Sequence, residues 1–417
     1  MIRAATDNPA MAAIEIRPFS GEPRVFLEAV ELAFGEQLRD EDAADWARLL
    51  EADRTLAAYD GDEVVGNAAV ISFNLTVPGG VVPTAGVSMV GVRPTHRRRG
   101  LLRALMRRQL DDIHERGEPL AALWASEGGI YQRFGYGLAS LHAEIKVDTQ
   151  RTAFRRPHAP SGSVRIVSAG EARKAAPAVF DAVRESRPGY FTRSDAFWDV
   201  EIFRDAEHQR RGASAKFWVL HATDGRTDGY AWYRIRGEWE SDGSRSELRV
   251  GELIAQNVGA HLDLWRYLFD VDLIAKVNAW NLPPDDPILL TILEPRRLNL
   301  SLGDALWLRL VDLPAALGAR GYRADGEITL EVTDEFCPWN AARWTLRADG
   351  GVASAVPASV EPDLQLDTTD LAAAYLGAFT FTQLAAAGRV RECRPGALRA
   401  ADDLFRTDIA PFCPAVF

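Results

Sequence analysis

Residues 90–103 are the part of the chain whose residue types and spacing could do chemistry, because Arg97, Arg98 and Arg99 stand directly before Gly100. Apolar alternation before the arginines predicts a strand, and the spacing of apolar residues after Gly100 predicts a helix. The first turn of a helix presents unpaired backbone N–H groups and a partial positive charge, so oxyanions bind there. We interpret this loop as a pyrophosphate site.

The alternative for the arginine run is a solvated basic turn, since charge runs usually face water. Each basic side chain at a helix N-terminus destabilises the helix by about 0.3 to 1 kcal/mol, because its charge is repelled by the positive end of the helix dipole. An anionic ligand removes that conflict. Gly100 also lets the backbone approach a ligand closely. Both arguments favour the phosphate interpretation.

Hydrophobic periodicity around the loop predicts an α+β domain in residues 1–150. The predicted order is strand 14–17, helix 22–36, strands 55–59, 64–76 and 81–92, helix 100–116, strand 120–124, short helix 129–134 and strand 140–147. The apolar residues expected on one face of the first helix are Val25, Leu27, Val30, Leu32 and Ala33. Those expected on one face of the helix after the loop are Leu101, Leu102, Leu105, Met106, Leu110 and Ile113.

Two further domains are predicted after a linker rich in Arg, Pro, Gly and Ser at residues 151–162. Residues 151–304 repeat the order of the first domain, with strands at 164–167, 217–221, 230–235, 248–254 and 288–292 and helices at 169–184 and 261–269. Residues 255–260, where the repeat should have its phosphate loop, contain no arginine. Residues 305–417 form a third α+β domain, with strands at 306–310, 327–332 and 343–346 and helices at 314–319, 369–376 and 381–387.

The 417-residue chain has an ordinary globular composition, with 47% hydrophobic and 26% charged residues. Its net charge of -11 opposes nucleic-acid binding and would attract small cations, although the same charge can simply maintain solubility. Three cysteines match neither a disulfide framework nor a metal site, so we expect a reducing compartment and no metal. Residues 1–9 lack a signal peptide's apolar core, and no run is long enough for a membrane span.

Several segments of the chain resemble the Eis ("enhanced intracellular survival") family of acetyltransferases in the GNAT superfamily. They are residues 83–86, 94–103, 125–131, 133–137, 306–317 and the terminal Phe417. Residues 97–102 are similar to the GNAT signature of Arg or Gln, two residues, Gly, one residue, and Gly or Ala. Leu102 departs from it at the last place.

The resemblance implies tandem GNAT domains with mixed, mostly antiparallel sheets and flanking helices, followed by a domain like sterol carrier proteins. It further implies a cytoplasmic homohexamer that moves the acetyl group of acetyl-CoA to amines such as those of aminoglycosides. Only the first GNAT domain is expected to bind the cofactor. The resemblance also implies which residues contact the cofactor. They are Val90, Gly91, Val92, Arg98, Arg99, Gly100, Leu101, Leu102, Arg103, Ser126 and Glu127.

The family's proton donor corresponds to Tyr131, whose phenol stays protonated at neutral pH because the pKa of tyrosine is about 10. From sequence alone, Tyr131 could equally be an aromatic anchor, and Ser126 could equally cap the following helix. Tyr136 is not expected to take part. The family's base corresponds to the terminal carboxylate of Phe417, in an apolar tail with two prolines that is expected to dock.

Glu36 is the acidic residue expected near the acceptor pocket, and Val416 stands where the resemblance leads us to expect another acid. The terminal α-carboxylate of Phe417 is a weak base. It would therefore accept the proton of the amine through water, or the enzyme would use the small neutral fraction of the amine. Two other functions stay open at this point. The chain could acetylate protein lysines or N-termini, or it could bind lipid through its third domain.

Overall fold

The computed structural model describes residues 14–417, so the predicted absence of a signal peptide at residues 1–9 concerns a part outside the described residues. The described chain divides into two compact units. One unit contains residues 14–72 and 85–118, and the other contains residues 73–84 and 119–417.

Regular elements follow one another closely along the described chain. The strands are β1 Glu15–Pro18, β2 Thr55–Asp60, β3 Glu63–Val77, β4 Gly80–Val92, β5 Leu120–Trp124, β6 Gly137–Leu138, β7 Leu141–Asp148, β8 Ser163–Val167, β9 Phe217–Thr223, β10 Arg226–Arg236, β11 Trp239–Glu240, β12 Gly243–Ser244, β13 Glu247–Ala255, β14 Lys276–Leu282, β15 Ser301–Asp304, β16 Leu306–Leu310, β17 Gly326–Thr333, β18 Ala342–Asp349, β19 Val352–Pro357, β20 Leu364–Asp367 and β21 Val390–Glu392. The α-helices are α1 Pro23–Phe34, α2 Asp40–Trp46, α3 Leu101–Glu115, α4 Gly128–Tyr131, α5 Ala169–Arg184, α6 Asp195–Phe197, α7 Val258–Phe269, α8 Ile288–Thr291, α9 Leu313–Ala319, α10 Thr368–Tyr375, α11 Phe381–Ala386 and α12 Ala397–Phe405.

The first unit contains β1, β2 and most of β3 and β4, in the sheet order β1-β2-β3-β4, together with α1, α2 and α3. Strand β2 is antiparallel to both β1 and β3. Helix α3 packs Leu101 and Leu105 into a small core with β2 and β3. Its predicted apolar face is largely confirmed, although Leu102 is only half-buried. The prediction for α1 is partly wrong, because Val25 and Leu32 are 48% and 46% exposed while the other three residues are buried.

In the second unit, strand pairing crosses both predicted domain boundaries. Strand β16, from the predicted third domain, runs antiparallel between β5 and β6 of the predicted first domain. Strand β7, also assigned to the first domain, pairs with β14 and β15 of the predicted second domain. The boundaries at residues 150 and 304 stay predictions, since sequence position alone does not decide which sheet a strand joins.

The second sheet has seven strands in the order β15-β7-β14-β13-β10-β9-β8. Its core contains apolar residues of β7, β10, β13 and β14 together with Leu264, Trp265 and Leu268 of α7. The predicted strand at residues 288–292 is wrong. Asp286 accepts the Ile288 N–H at 2.9 Å and starts the single turn of α8, whereas β14 occupies the parallel position beside β13.

The third sheet has five strands in the order β19-β18-β17-β20-β21, with helices α9 to α12 beside it. Strands β17 and β18 and helices α9 to α11 confirm the predicted elements, while β19 to β21 and α12 were not predicted. Within residues 14–417, no helix is long and apolar enough to cross a membrane.

Candidate active site

The loop in the first unit has the backbone shape of an anion site. Arg98 and Gly100 both adopt left-handed conformations, with φ of 64° and 81°. Helix α3 starts directly after Gly100, and no side chain among residues 14–417 caps its first N–H groups. A left-handed non-glycine residue costs about 1 to 3 kcal/mol and is typical of ligand-binding turns. The loop is therefore shaped to bind an anion.

The three arginines of the loop have different roles. Arg97 donates from Nη2 to the Ala33 carbonyl at 2.9 Å and so fastens the loop to the end of α1. Arg98 and Arg99 are exposed, and neither side chain has a hydrogen bond or ion pair within the described residues. These two guanidinium groups can therefore pair with an anion, and their contact with the cofactor stays a prediction.

The other predicted loop residues divide into core contacts and backbone contacts. Leu101 is buried in the core, so only its backbone N–H can face a ligand. Val90 and Val92 are half-buried, and Leu102 and Arg103 begin the exposed side of α3. Gly91 is required by packing, because an added Cβ would lie 2.7 Å from the Ala33 Cβ.

Asn67 is a residue of this region that the sequence analysis missed. Its Nδ2 donates to the carbonyl of Met89, which has a left-handed φ of 53°. Asn67 Oδ1 is buried and has no partner within residues 14–417. The amide therefore holds Met89, two residues before Gly91, in this conformation. In the sequence, Asn67 is the one polar residue of the apolar run at residues 64–70, and this could have indicated its role.

Changing Arg98 and Arg99 together to glutamate should raise the Kd for acetyl-CoA at least about 10-fold, since each charge-assisted hydrogen bond contributes about 1.5 to 3 kcal/mol. Isothermal titration calorimetry measures this directly. The matched control reverses Arg155 and Arg156, two adjacent exposed arginines of the linker. An unchanged Kd in a folded Arg98→Glu, Arg99→Glu protein would remove the loop from the cofactor site.

In the second unit, Tyr131 ends the short helix α4, and strand β16 supports the segment around it. An added Cβ on Gly128 would lie 2.7 Å from Trp307, and one on Gly135 would lie 2.5 Å from the Arg309 guanidinium. Arg309 is itself buried and paired with Asp334 at 2.6 Å. Close packing on both sides thus fixes the backbone of the tyrosine segment.

Tyr131 and Tyr136 lie edge to face, with ring centroids 6.0 Å apart, but they differ in access. Tyr136 is fully buried, and its hydroxyl has no partner within the described residues. Tyr131 is 8% exposed. Burial, and then the negative charge of Glu127, raise the pKa of Tyr131, so its phenol stays protonated at neutral pH. The role of Tyr131 as proton donor stays a prediction.

Glu127 and Ser126 lie exposed between β5 and α4. The interpretation of Ser126 as a helix cap is wrong, because Glu127 occupies the N-cap position of α4 and its side chain makes no capping bond within the described residues. Ser126 is thereby available for other contacts, and its predicted contact with the cofactor stays a prediction.

The predicted docking of the C-terminal tail is observed in the second unit. Arg187 Nη1 donates to the Ala410 carbonyl at 2.7 Å and to Asp285 at 2.6 Å, and Asp285 accepts the Ala410 N–H at 2.9 Å. Farther along, Trp124 Nε1 donates to Cys413 Sγ at 3.3 Å. Burial raises the pKa of the Cys413 thiol to about 12. Residues 411–415 are all buried.

The side chain of Phe417 is held in an aromatic cluster. Its ring centroid lies 4.9 Å from that of Phe73 and 5.3 Å from that of Phe191. Val416 is 45% exposed. Packing on its ring therefore holds Phe417 in place.

Glu36, in the first unit, belongs to a cluster of carboxylates. It is exposed and follows Gly35, whose left-handed φ of 79° ends α1. Burial raises the pKa of Glu31, and the nearby charges of Glu36 and then Asp42 raise it further. The cluster therefore has a negative potential that would favour a cation.

Comparisons with known proteins agree with this geometry. Models of the acetyltransferase (GNAT) domain match residues 19–139 and 189–310, and a model of the sterol carrier protein domain matches residues 313–414. The chain is 38% identical over 404 residues to the N-acetyltransferase Eis of Mycobacterium tuberculosis, which covers 93% of this chain and 95% of that protein.

The chain belongs to the Eis family of N-acetyltransferases. It is also 45% identical over 377 residues to an uncharacterized N-acetyltransferase of Streptomyces avermitilis, covering 89% of this chain and 91% of that one. The crystal structure of Eis1 from Mycobacterium abscessus superposes with a TM-score of 0.84 at 34% identity, over 97% of this chain and all of that one. The predicted family, the tandem GNAT domains and the sterol-carrier-like domain are thus confirmed.

As a GNAT acyltransferase, this Eis-family chain uses acetyl-CoA. The second GNAT domain differs at the start of its corresponding helix, α7. There the Asn257 side chain already accepts the Ala260 N–H at 2.9 Å. One of the donors that would bind a phosphate is therefore satisfied by the chain itself, which agrees with the absence of arginine from residues 255–260.

Proposed function

We propose that the chain acetylates amines of small cationic molecules, such as aminoglycosides. The observation that carries this proposal is the carboxylate cluster of Glu31, Glu36 and Asp42, where burial and then the negative charges of Glu36 and Asp42 raise the pKa of Glu31. A cationic acceptor lowers that repulsion when it binds, whereas an anionic or apolar acceptor does not. The net charge of -11 would also attract such molecules from solution.

In the proposed reaction, the neutral amine attacks the thioester carbonyl of acetyl-CoA and forms the C–N bond. The C–S bond then breaks, and Tyr131 gives its phenolic proton to the departing thiolate sulfur. The proton lost by the amine passes, directly or through water, to the Phe417 carboxylate. The loop at Arg98 and Arg99 holds the pyrophosphate, and Ser126 and Glu127 contact the cofactor.

The raised pKa of Tyr131 supports this division of roles, because the group must be protonated when the thiolate leaves. The docked tail supports the role of Phe417, because a freely moving chain end could not keep a carboxylate in place. Val416 stands where a second acid was expected, so Glu36 is left to supply charge for cationic acceptors.

Glu36→Gln should raise the KM for an aminoglycoside such as kanamycin about 5-fold to 10-fold, because it removes a negative charge near the acceptor. The kcat and the KM for acetyl-CoA should change little. Steady-state coenzyme A release measures all three constants. Asp53→Asn, which removes an exposed carboxylate paired with Arg116, is the control. Equal KM values for the two variants would show that Glu36 does not face the acceptor.

We also propose that the chain assembles as a homohexamer in the cytoplasm, as the resemblance to the family implies. The three free cysteines support a reducing compartment. Light scattering on the purified protein should give about six times the 45.9 kDa mass of one chain. A monomeric mass would contradict the proposed assembly.

A further inference from the structure

The second GNAT domain keeps a cleft at the place that corresponds to the cofactor site of the first. Strands β13 and β14 pair in parallel only up to Val250 and Ala279, although β13 continues to Ala255 and β14 to Leu282. The strands therefore separate toward their carboxyl ends. A cavity of about 240 Å³ lies there, bounded also by the start of α7.

Asn281 lines this cavity and carries an unsatisfied acceptor. The residue is 8% exposed, and its Nδ2 donates to the Cys413 carbonyl of the docked tail at 3.3 Å. That bond fixes the orientation of the amide, because the reverse orientation would place two oxygens together. Asn281 Oδ1 has no partner within residues 14–417. Leaving such a group unsatisfied costs about 1 to 3 kcal/mol, so the cavity is suited to a hydrogen-bond donor.

Among the described acidic residues around the cavity, two are paired with an arginine and one is paired only with a histidine. Glu252 is paired with Arg193 at 2.5 Å and accepts from Tyr230 at 2.7 Å. The other charged pair joins Arg187 to Asp285. Asp286 is 5% exposed and accepts from the Ile288 N–H and from a ring nitrogen of His261 at 3.1 Å.

Because the two pairs are neutral, the remaining acid of the lining is Asp286, whose carboxylate is contacted by His261 and by no arginine or lysine that the described residues show. This carboxylate and Asn281 Oδ1 both take hydrogen-bond donors, and the negative charge favours a cationic one. The remaining wall is largely apolar and includes Leu253, Val258, Phe412 and Pro414. We propose that this cleft binds a small organic primary ammonium ion, with its N–H groups on Asn281 and Asp286 and a short apolar body against the tail.

This site is built from residues other than those of the proposed acceptor site and goes beyond the proposed function. The cavity is smaller than the roughly 300 to 1,000 Å³ of pockets for drug-sized ligands, which favours a short-chain amine. Phe412 and Pro414 line it only while the tail is docked. Ligand binding and tail docking should therefore strengthen each other, since such coupling is reciprocal.

The test uses n-butylammonium chloride as the cationic probe and n-butanol as the neutral probe of equal length. Binding to the full chain is measured by calorimetry without acetyl-CoA, so its outcome does not depend on catalysis. Two variants address the site: Asp286→Asn keeps the shape and removes the charge, and Val258→Trp fills the cavity from a residue that is 63% exposed. Glu36→Gln removes charge at the proposed acceptor site.

We expect n-butylammonium to bind the wild type and Glu36→Gln with the same Kd. Its Kd should be at least about 10-fold higher in Asp286→Asn and Val258→Trp. We expect no binding of n-butanol. Val258→Trp keeps the test decisive if Asp286→Asn fails to fold. Equal binding of butanol, no binding of butylammonium, or an unchanged Kd in Val258→Trp would each overturn the proposal. Loss of binding only in Glu36→Gln would instead place the probe at the acceptor site.

Discussion

Tyr131→Phe should lower kcat by about 100-fold or more, because general acid catalysis by one side chain typically contributes a factor of 10² to 10⁴. The change removes a single oxygen from a residue that is already well packed, so folding and the Kd for acetyl-CoA should change little. Burial raises the pKa of Tyr131, so the loss should be present across the neutral pH range. Steady-state coenzyme A release at saturating substrates measures the effect.

Tyr136→Phe is the matched control for this experiment. It removes the same atom from a neighbouring tyrosine whose hydroxyl is fully buried and has no partner within residues 14–417. Loss of an unsatisfied buried hydroxyl should leave kcat unchanged and stability equal or slightly higher. If Tyr131→Phe keeps full turnover, or if both variants lose it equally, Tyr131 is a packing residue and the donor lies elsewhere.

Adding two or three glycine and serine residues after Phe417 should also lower kcat severely, by about 100-fold. The extension keeps every side chain of the tail but turns the terminal carboxylate into a neutral amide. A group that takes a proton only in the transition state contributes little to ground-state binding, so KM should change much less than kcat. Deleting Phe417 instead moves the carboxylate by up to about 3.8 Å and should have a similar effect.

A variant far from the chain end separates the carboxylate's chemistry from its position. Arg187→Leu removes the clamp on Ala410 while leaving the carboxylate intact, and misplacement by about 1 Å can cost about 100-fold in rate. Arg187→Lys should restore part of kcat. Arg245→Leu, which breaks only an exposed pair with Glu240, should have no effect. Full activity of the extended chain between pH 6 and 9 would exclude the carboxylate and make Glu127 the better candidate.

Local signals correctly predicted the strand, loop and helix around Gly100 and most other elements. Gly100, the arginines before it and the apolar spacing after it all act within one turn of α3, so no distant contact was needed to find them. The strand wrongly predicted at residues 288–292 is a case in which a local apolar run was misleading. There the side chain of Asp286 accepts the Ile288 N–H and starts a helical turn that the apolar pattern does not reveal.

The arrangement around Tyr131 depends on residues that are distant in sequence. Trp307 and Arg309 support its segment only because β16 pairs with β5, and no local pattern indicates that pairing. Docking of the tail could be expected from its apolar composition and prolines. Its partners Arg187, Asn281 and Trp124 could not be, since those contacts exist only after the second unit has folded.

The acceptor class is tested most directly by coenzyme A release over a panel that contains an aminoglycoside, a polyamine, an arylalkylamine and a lysine peptide, each at equal concentration with acetyl-CoA. The carboxylate cluster around Glu36 predicts the highest kcat/KM for the polycationic small molecules, a lower value for the arylalkylamine and the lowest for the peptide. Mass spectrometry should show an acetyl group on their amines. Preference for the lysine peptide, with no acetylation of the aminoglycoside or the polyamine, would contradict the account and make the chain a protein acetyltransferase.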